Sequence, residues 1–254
     1  MRVPMGKHKR EAVVQARLRA AQLSGGDTGD GGLAIVALDR GLLHWASPEI
    51  VAGIRLMLAR LQAHEKGLLP TRLTLTSALD GEGVTFVGLS LASLLAHDSC
   101  YRTCFVDLNW WTPSKVNIEG QSGIADVIKG DATLDQVLIQ TINPLLSVVP
   151  AGHVPPTERS LLAKRPELRD LLDDLGAQFD HLVLDLPAVL STSDAIVLAS
   201  LADRYALVVR HGVTTSEQVQ AVLEELRHLS SLGLILNQVH SSIPRPLLRR
   251  IEPW

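Results

Sequence analysis

The residues best placed to do chemistry are Thr76-Ser77-Ala78-Leu79-Asp80-Gly81-Glu82-Gly83-Val84-Thr85-Phe86. An apolar run, residues 73–75, leads into them and a helical pattern, residues 87–96, follows. That is the strand–loop–helix setting of a glycine-rich phosphate-binding loop, whose pattern is G-x-x-x-x-G-K-[ST]. Gly83 takes the second glycine, Thr85 the Mg²⁺-binding hydroxyl, and Ala78 stands at the first glycine. Val84 stands where the lysine reaches the β- and γ-phosphates. The loop amides and helix dipole of such a turn can hold an anion. Phosphoryl transfer, however, is mostly positioning and electrostatics around dense negative charge, and Val84 supplies no positive charge. Gly81, Gly83 and Thr85 are therefore candidates for a weak nucleotide site with impaired turnover. No lysine lies between Lys66 and Lys115, so rescue within the loop is excluded and Lys115 is the nearest displaced candidate.

Two acids close apolar runs: Asp107 after Phe105-Val106, and Asp185 after Leu182-Val183-Leu184. Carboxylates at such strand ends hold Mg²⁺ directly or through water beside the loop hydroxyl. Thr85, Asp107 and Asp185 are thus the candidate metal set, set against strand-end capping as the plainer reading. Catalytic roles for Asp107 and Asp185 are vestigial on this view. Asp203 opens a strand rather than closing one and takes no metal role.

Apolar strand candidates fall at residues 73–76, 103–107, 145–149, 181–185, 205–209 and 232–236, with helical patterns at 85–96, 167–178, 194–201 and 215–229. A further helix starts at Ser47-Pro48-Glu49, with proline in its first turn, and runs to about His64. Continuous apolar strands alternating with helices predict an α/β fold with a doubly wound, mostly parallel sheet and helices on both faces. Ligand is then expected outside the carboxyl ends of the strands. Residues 1–32 read as a basic helix and a Gly/Asp-rich linker, 33–243 as one domain beginning with a short apolar stretch at 33–38, and 244–254 as a short basic tail with Arg245, Arg249 and Arg250.

The chain has 254 residues, 46% hydrophobic and with a net charge of −3. That allows a sizeable core and gives no global pull toward nucleic acid. Cys100 and Cys104 are not in a metal or redox spacing, and the nine histidines are scattered. No apolar run approaches the ~18 residues of a membrane span, and the N-terminus does not read as a signal peptide. Trp110 and Trp111 read either as packing or as a patch at the rim of the site.

Six segments in order extend the argument. Asp80-Gly81-Glu82-Gly83 resembles P-G-E-G, and residues 105–114, with Pro113-Ser114, resemble I-D-x-D-x-R-x-P-S. Residues 123–130 resemble G-L-x-D-x-L-x-G, and Val149-Pro150-Ala151-Gly152 with Pro155-Pro156 resembles L-P-A-G-x-x-P-P-N-P. Residues 179–195 resemble F-D-x-V-I-I-D-x-P-P-V-L-x-x-x-D-A, and Leu236-Asn237-Gln238-Val239 resembles V-L-N-x-V. Together they make the chain similar to the cytoplasmic domain of bacterial tyrosine kinases (BY-kinases), the exopolysaccharide-associated branch of the MinD/ParA-like P-loop ATPases.

The resemblance implies a P-loop NTPase-like fold, ATP or ADP with Mg²⁺, an adenine contact from Asn237, and homo-oligomers through the helix at Glu49. It also implies a membrane polysaccharide co-polymerase, or chain-length regulator, as partner through its cytoplasmic tail. The location implied is cytoplasmic, peripheral at the inner face of the plasma membrane, in exopolysaccharide or capsule synthesis or export. The departures carry equal weight: Val84 for lysine, Asn109 for the second aspartate, Trp111 for arginine, Ala188 for proline, and Ala52 for the first arginine of the oligomer helix. The family's C-terminal tyrosine cluster has no counterpart, and the only tyrosines are Tyr101 and Tyr205. The reading reached is a catalytically impaired, regulatory or scaffolding relative in which nucleotide and Mg²⁺ bind weakly or not at all. An active tyrosine kinase or ATPase with a displaced lysine stays open, as does a MinD/ParA-like positioning ATPase. The P-A-G-x-x-P-P segment favours the polysaccharide branch over the last.

Overall fold

The computed structural model describes residues 48–64, 69–112 and 121–239. The basic N-terminal segment, the linker, the 33–38 stretch, Pro113, Ser114, Lys115 and the 244–254 tail lie outside the described residues. The elements run α1 (Pro48–His64), β1 (Arg72–Ser77), α2 (Val84–His97), β2 (Thr103–Asp107), α3 (Ile124–Lys129), α4 (Leu134–Val137), β3 (Ile139–Gln140) and β4 (Leu146–Val149). They continue with α5 (Arg159–Ala163), α6 (Pro166–Gln178), β5 (His181–Asp185), α7 (Asp194–Ala199), β6 (Arg204–Arg210), α8 (Ser216–Glu225) and β7 (Ser231–Asn237).

The strands form one sheet in the order β3-β4-β2-β5-β1-β6-β7. Only β3 runs antiparallel to its neighbour. The doubly wound α/β expectation therefore holds, and all six expected strands are present. β3 went unread because two residues carry no alternation to detect. Helices α3, α4 and α5, of six, four and five residues, are too short to display a helical period. α8 ends at Glu225, four residues before the expected end at Leu229.

Each face of the sheet has its own core. On one, Cys104, Val106, Leu182, Leu184, Leu207 and Val209 pack with Ile124 of α3, Leu168, Leu172 and Leu175 of α6, and Leu198 of α7. On the other, Leu73, Leu75, Phe105, Val183, Ala206 and Val208 pack with Leu91, Leu94 and Leu95 of α2 and with Ile54, Leu58 and Leu61 of α1. α2 is apolar nearly all round: of its residues only Thr85, Phe86 and His97 are not buried. A helix of that composition must be enclosed, and it is held between the sheet and α1. No helix among the described residues is long and apolar enough to cross a membrane.

The loop after β4 meets the start of α3 at very close range. Ile124 N–H donates to Pro150 O at 2.8 Å and Ala125 N–H to Ala151 O at 3.2 Å. A Cβ on Gly123 would lie 2.1 Å from the Gly152 nitrogen and 2.5 Å from Pro150 O, and Gly152 itself has φ +77°. The glycine-rich pairing of two distant segments thus has a steric cause. Gly123→Ala must displace backbone rather than a side-chain tip. It should lower stability by about 1–3 kcal/mol, read as a lower urea midpoint at unchanged slope.

Candidate functional site

β1 lies between β5 and β6, so its carboxyl end opens beside theirs. The chain leaves at Ser77 and re-enters helix at Val84. Gly83, at the helix N-cap, has φ +92° and ψ +28°, a left-handed conformation that glycine adopts without strain. Asn237 also crowds this point: a Cβ on Gly83 would stand 2.3 Å from its Nδ2.

The loop is fastened by its own acidic residues. Glu82 is buried, and its Oε2 accepts from Ala78 N–H at 2.9 Å and Leu79 N–H at 3.3 Å. Its Oε1 accepts from the Thr214 hydroxyl in the turn after β6. Asn237 Nδ2 donates to Glu82 O at 2.8 Å, tying the end of β7 to the same residue. Asp80 accepts from Thr112 Oγ1 at 3.1 Å and Ser191 Oγ at 2.9 Å, which joins the loops after β2 and β5. The N–H groups of Gly83, Val84 and Thr85 stand at the N-terminus of α2, where backbone amides and the helix dipole favour an anion.

Asp107 and Asp185 stand side by side, in register at the ends of β2 and β5, and both are fully buried. Asp107 Oδ1 accepts from Asn109 N–H at 2.9 Å. Asp185 Oδ2 accepts from Thr85 Oγ1 at 2.5 Å, while its Oδ1 is buried with no hydrogen-bond partner. Burial drives the Asp185 carboxyl well above the usual range and repulsion from Asp107 adds to this, against the Thr85 hydrogen bond. The structure thus brings Thr85, Asp107 and Asp185 together as the sequence suggested.

These residues fit the cation end of a nucleotide site. An unpaired buried carboxylate oxygen beside a hydroxyl is the donor chemistry Mg²⁺ takes. Among the described residues no group of three or more His, Cys, Asp or Glu side chains is arranged for a metal, so phosphate or water oxygens would have to complete the shell. Gly81, Gly83 and Thr85 offer amides to phosphate. Val84 offers nothing; it is 7% exposed and belongs to the apolar cluster with α1 and β1.

Other expected residues have settled differently. Trp110 is a core residue: it is buried and donates Nε1–H to Ala151 O at 2.9 Å. Trp111 is half-buried beside it, ring centroids 6.1 Å apart. Asn109 accepts from Trp111 and Thr112 N–H, a turn-forming use of its side chain. Arg55 pairs with Asp98 of the same chain at 2.7 Å. Asp203 lies just before β6 and accepts from Arg72 N–H at 2.8 Å, which fastens the start of β1. Glu82, Thr214, Asp80, Thr112 and Ser191 went unassigned. Glu82 was visible inside the motif, but its partner Thr214 lies 132 residues away, where no local pattern connects them.

No protein-family model matches the chain. The tyrosine-protein kinase CpsD of Streptococcus agalactiae is 30% identical over 177 residues, which cover 67% of this chain and 76% of that protein. The chain belongs to the bacterial tyrosine kinase family. The kinase domain of Escherichia coli tyrosine kinase ETK superposes with a TM-score of 0.68 at 24% identity, over 76% of this chain and 79% of that one. The septum site-determining protein MinD of Pyrococcus horikoshii, solved with Mg-ADP, superposes at 0.54 and 20% identity, over 72% and 77%. Both share the fold.

The raised Asp185 pKa has a pH signature in cation-free buffer. The folded protein retains a proton that the unfolded chain releases near pH 3.9. The contribution of Asp185 to stability is therefore fully present below about that pH and is lost as pH rises through the raised value. Asp185→Asn should flatten this decline, measured by urea unfolding across a pH series. A decline as steep as that of the parent would show that another group causes it.

Proposed function

We propose that this chain is a catalytically impaired BY-kinase relative acting as a regulatory or scaffolding subunit. Its partner would be a membrane polysaccharide co-polymerase or chain-length regulator in exopolysaccharide or capsule synthesis or export. The observation that carries the reading is Val84, an apolar side chain packed into the core at the position that should face the phosphates. The surrounding architecture supports it. The loop keeps its shape through Glu82, Thr214 and Asn237 without any lysine. Tyr205 is 2% exposed inside β6, and Tyr101 packs edge-on against His181. Tyr205 is thereby withdrawn from solvent and Tyr101 is half-buried.

On this reading ATP or ADP with Mg²⁺ binds weakly or not at all. Where it binds, the amides of residues 81–85 hold phosphate, Thr85, Asp185 and Asp107 hold the cation, and Asn237 borders the base. The nucleotide itself would supply the transferable phosphoryl group. What the chain contributes is position: the register of β2 and β5 fixes the two carboxylates, and Gly83 fixes the start of α2. Lacking the lysine, it does not neutralise charge on the γ-phosphate, and transfer is slow for that reason.

Calorimetric titration of ADP and ATP with Mg²⁺ tests the claim. Submicromolar binding, or ATP hydrolysis or tyrosine autophosphorylation at the rate of an active relative, would overturn it. Val84→Lys should tighten Mg-ATP binding by at least about tenfold, or ~1.4 kcal/mol, because the rest of the cradle is already formed.

A further inference from the structure

β7 is the outer strand on one side of the sheet, and among the described residues it pairs only with β6. Both of its faces meet apolar surroundings. Gly233 and Ile235 pair in register with Ala206 and Val208, which belong to the core under α1 and α2. Leu234 and Leu236 pair with Leu207 and Val209, which belong to the opposite core. Yet Leu234 and Leu236 are 55% and 54% exposed, against 0% and 8% for those β6 neighbours. On the other face a groove of about 980 Å³ separates β7 from α1, and Leu56 and Met57 of α1 line it. The backbone of this edge is open as well. Asn237 O accepts from His211 N–H at 3.0 Å, and alternate residues of a parallel strand face the same neighbour. Leu234 and Leu236 therefore turn their N–H and C=O groups away from β6. Residues 231–237 hold no charge and no proline, so none of the usual sequence devices blunts the edge.

We propose that residues 33–38 of the same chain, outside the described residues, add to β7 as an eighth, parallel strand. Leu33-Ala34-Ile35-Val36-Ala37-Leu38 is a continuous apolar run, bounded by Gly31-Gly32 before it and Asp39-Arg40-Gly41 after it. That is the pattern of a strand with apolar surroundings on both faces, which is what the open side of β7 offers. Six residues span about 20 Å as strand, close to the ~23 Å of β7. Residues 39–47 then lead to α1 and can reach roughly 30 Å. Topology sets the direction. β1–α2–β2 crosses the face that carries α1 and α2, stepping from β1 toward the β3 edge. A strand beyond β7, followed by α1 and then β1, crosses the same face in the same sense. It therefore makes a right-handed crossover, the hand that nearly all such units take when their strands are parallel. A tethered segment also acts at a local concentration of order millimolar, above what a second copy reaches in dilute solution. Because β7 ends in Asn237, which holds Glu82 O, the added strand braces the phosphate loop. The inference does not depend on whether that loop binds nucleotide.

Amide-resolved hydrogen exchange on the full chain tests the pairing. Leu234 and Leu236 N–H should be protected in the parent. They should exchange at least about tenfold faster in Ile35→Pro/Val36→Pro, where adjacent prolines remove a strand donor whichever way it faces. β1 amides should not change. Leu234 and Leu236 amides that are unprotected in the parent, or unaffected by the prolines, overturn the proposal. So does protection that rises with protein concentration, which would mean pairing with a second copy. Spin labels at the two ends of the segment test its direction and leave its residues intact, with exposed Cys100 replaced by serine and Cys104 buried. A nitroxide on Asp39→Cys should broaden the amides of Asn237 and Gln238, and one on Gly32→Cys those of Ser231 and Leu232. The reverse assignment of labels to ends would mean an antiparallel strand, and broadening at neither end an undocked one. Either result overturns the proposal.

Discussion

Two carboxylates in register and out of water, Asp107 and Asp185, set the electrostatic problem at the carboxyl edge of this sheet. Burial favours the neutral form of Asp185, and the neighbouring Asp107 further opposes its ionisation. The neighbouring polar groups are placed to ease that strain. Asn109 N–H points at Asp107, and Thr85, the first polar residue of α2, points at Asp185. One acceptor, Asp185 Oδ1, is left without a partner, and an unmade buried hydrogen bond costs about 1–3 kcal/mol. A chain that keeps such an arrangement keeps a site shaped for positive charge, although Val84 contributes none.

The loop takes its shape from contacts that involve no lysine. Glu82 folds back over the amides of Ala78 and Leu79 and is gripped from β6 and β7 by Thr214 and Asn237. Asp80 bridges the loops after β2 and β5. These are acidic anchors for the backbone, made within the protein, and they hold with or without a bound phosphate. Behind them stands α2, whose burial on every side fixes the direction in which the loop must end. Val84, the first residue of that helix, packs into the core beside α1 and β1.

Legibility follows the same division. The strands were readable because each is buried on both faces and so is a continuous apolar run, as in Leu182-Val183-Leu184. The placement of Thr85, Asp107 and Asp185 was readable because strand ends in a parallel sheet converge. What could not be read are contacts between segments with no common pattern: Glu82 with Thr214, Asp80 with Ser191, Gly123 with Gly152. Trp110 left two readings open in the sequence, and only its burial and its bond to Ala151 choose the packing one.

The two ends of the sheet are finished differently, and this bears on how the site is supported. At one edge the short antiparallel β3 caps β4, with Ile139 and Gln140 paired to Val148 and Ser147, a small blunt ending of the kind that prevents further pairing. At the other, β7 ends in Asn237, the residue that holds the phosphate loop, with leucines exposed on the strand just before it. The loop's stability is thus coupled to the less protected edge. Whatever orders β7 also orders Asn237, and through Glu82 O the turn that presents Gly83 and Thr85. That mechanical link lets packing at a distant surface act on the turn.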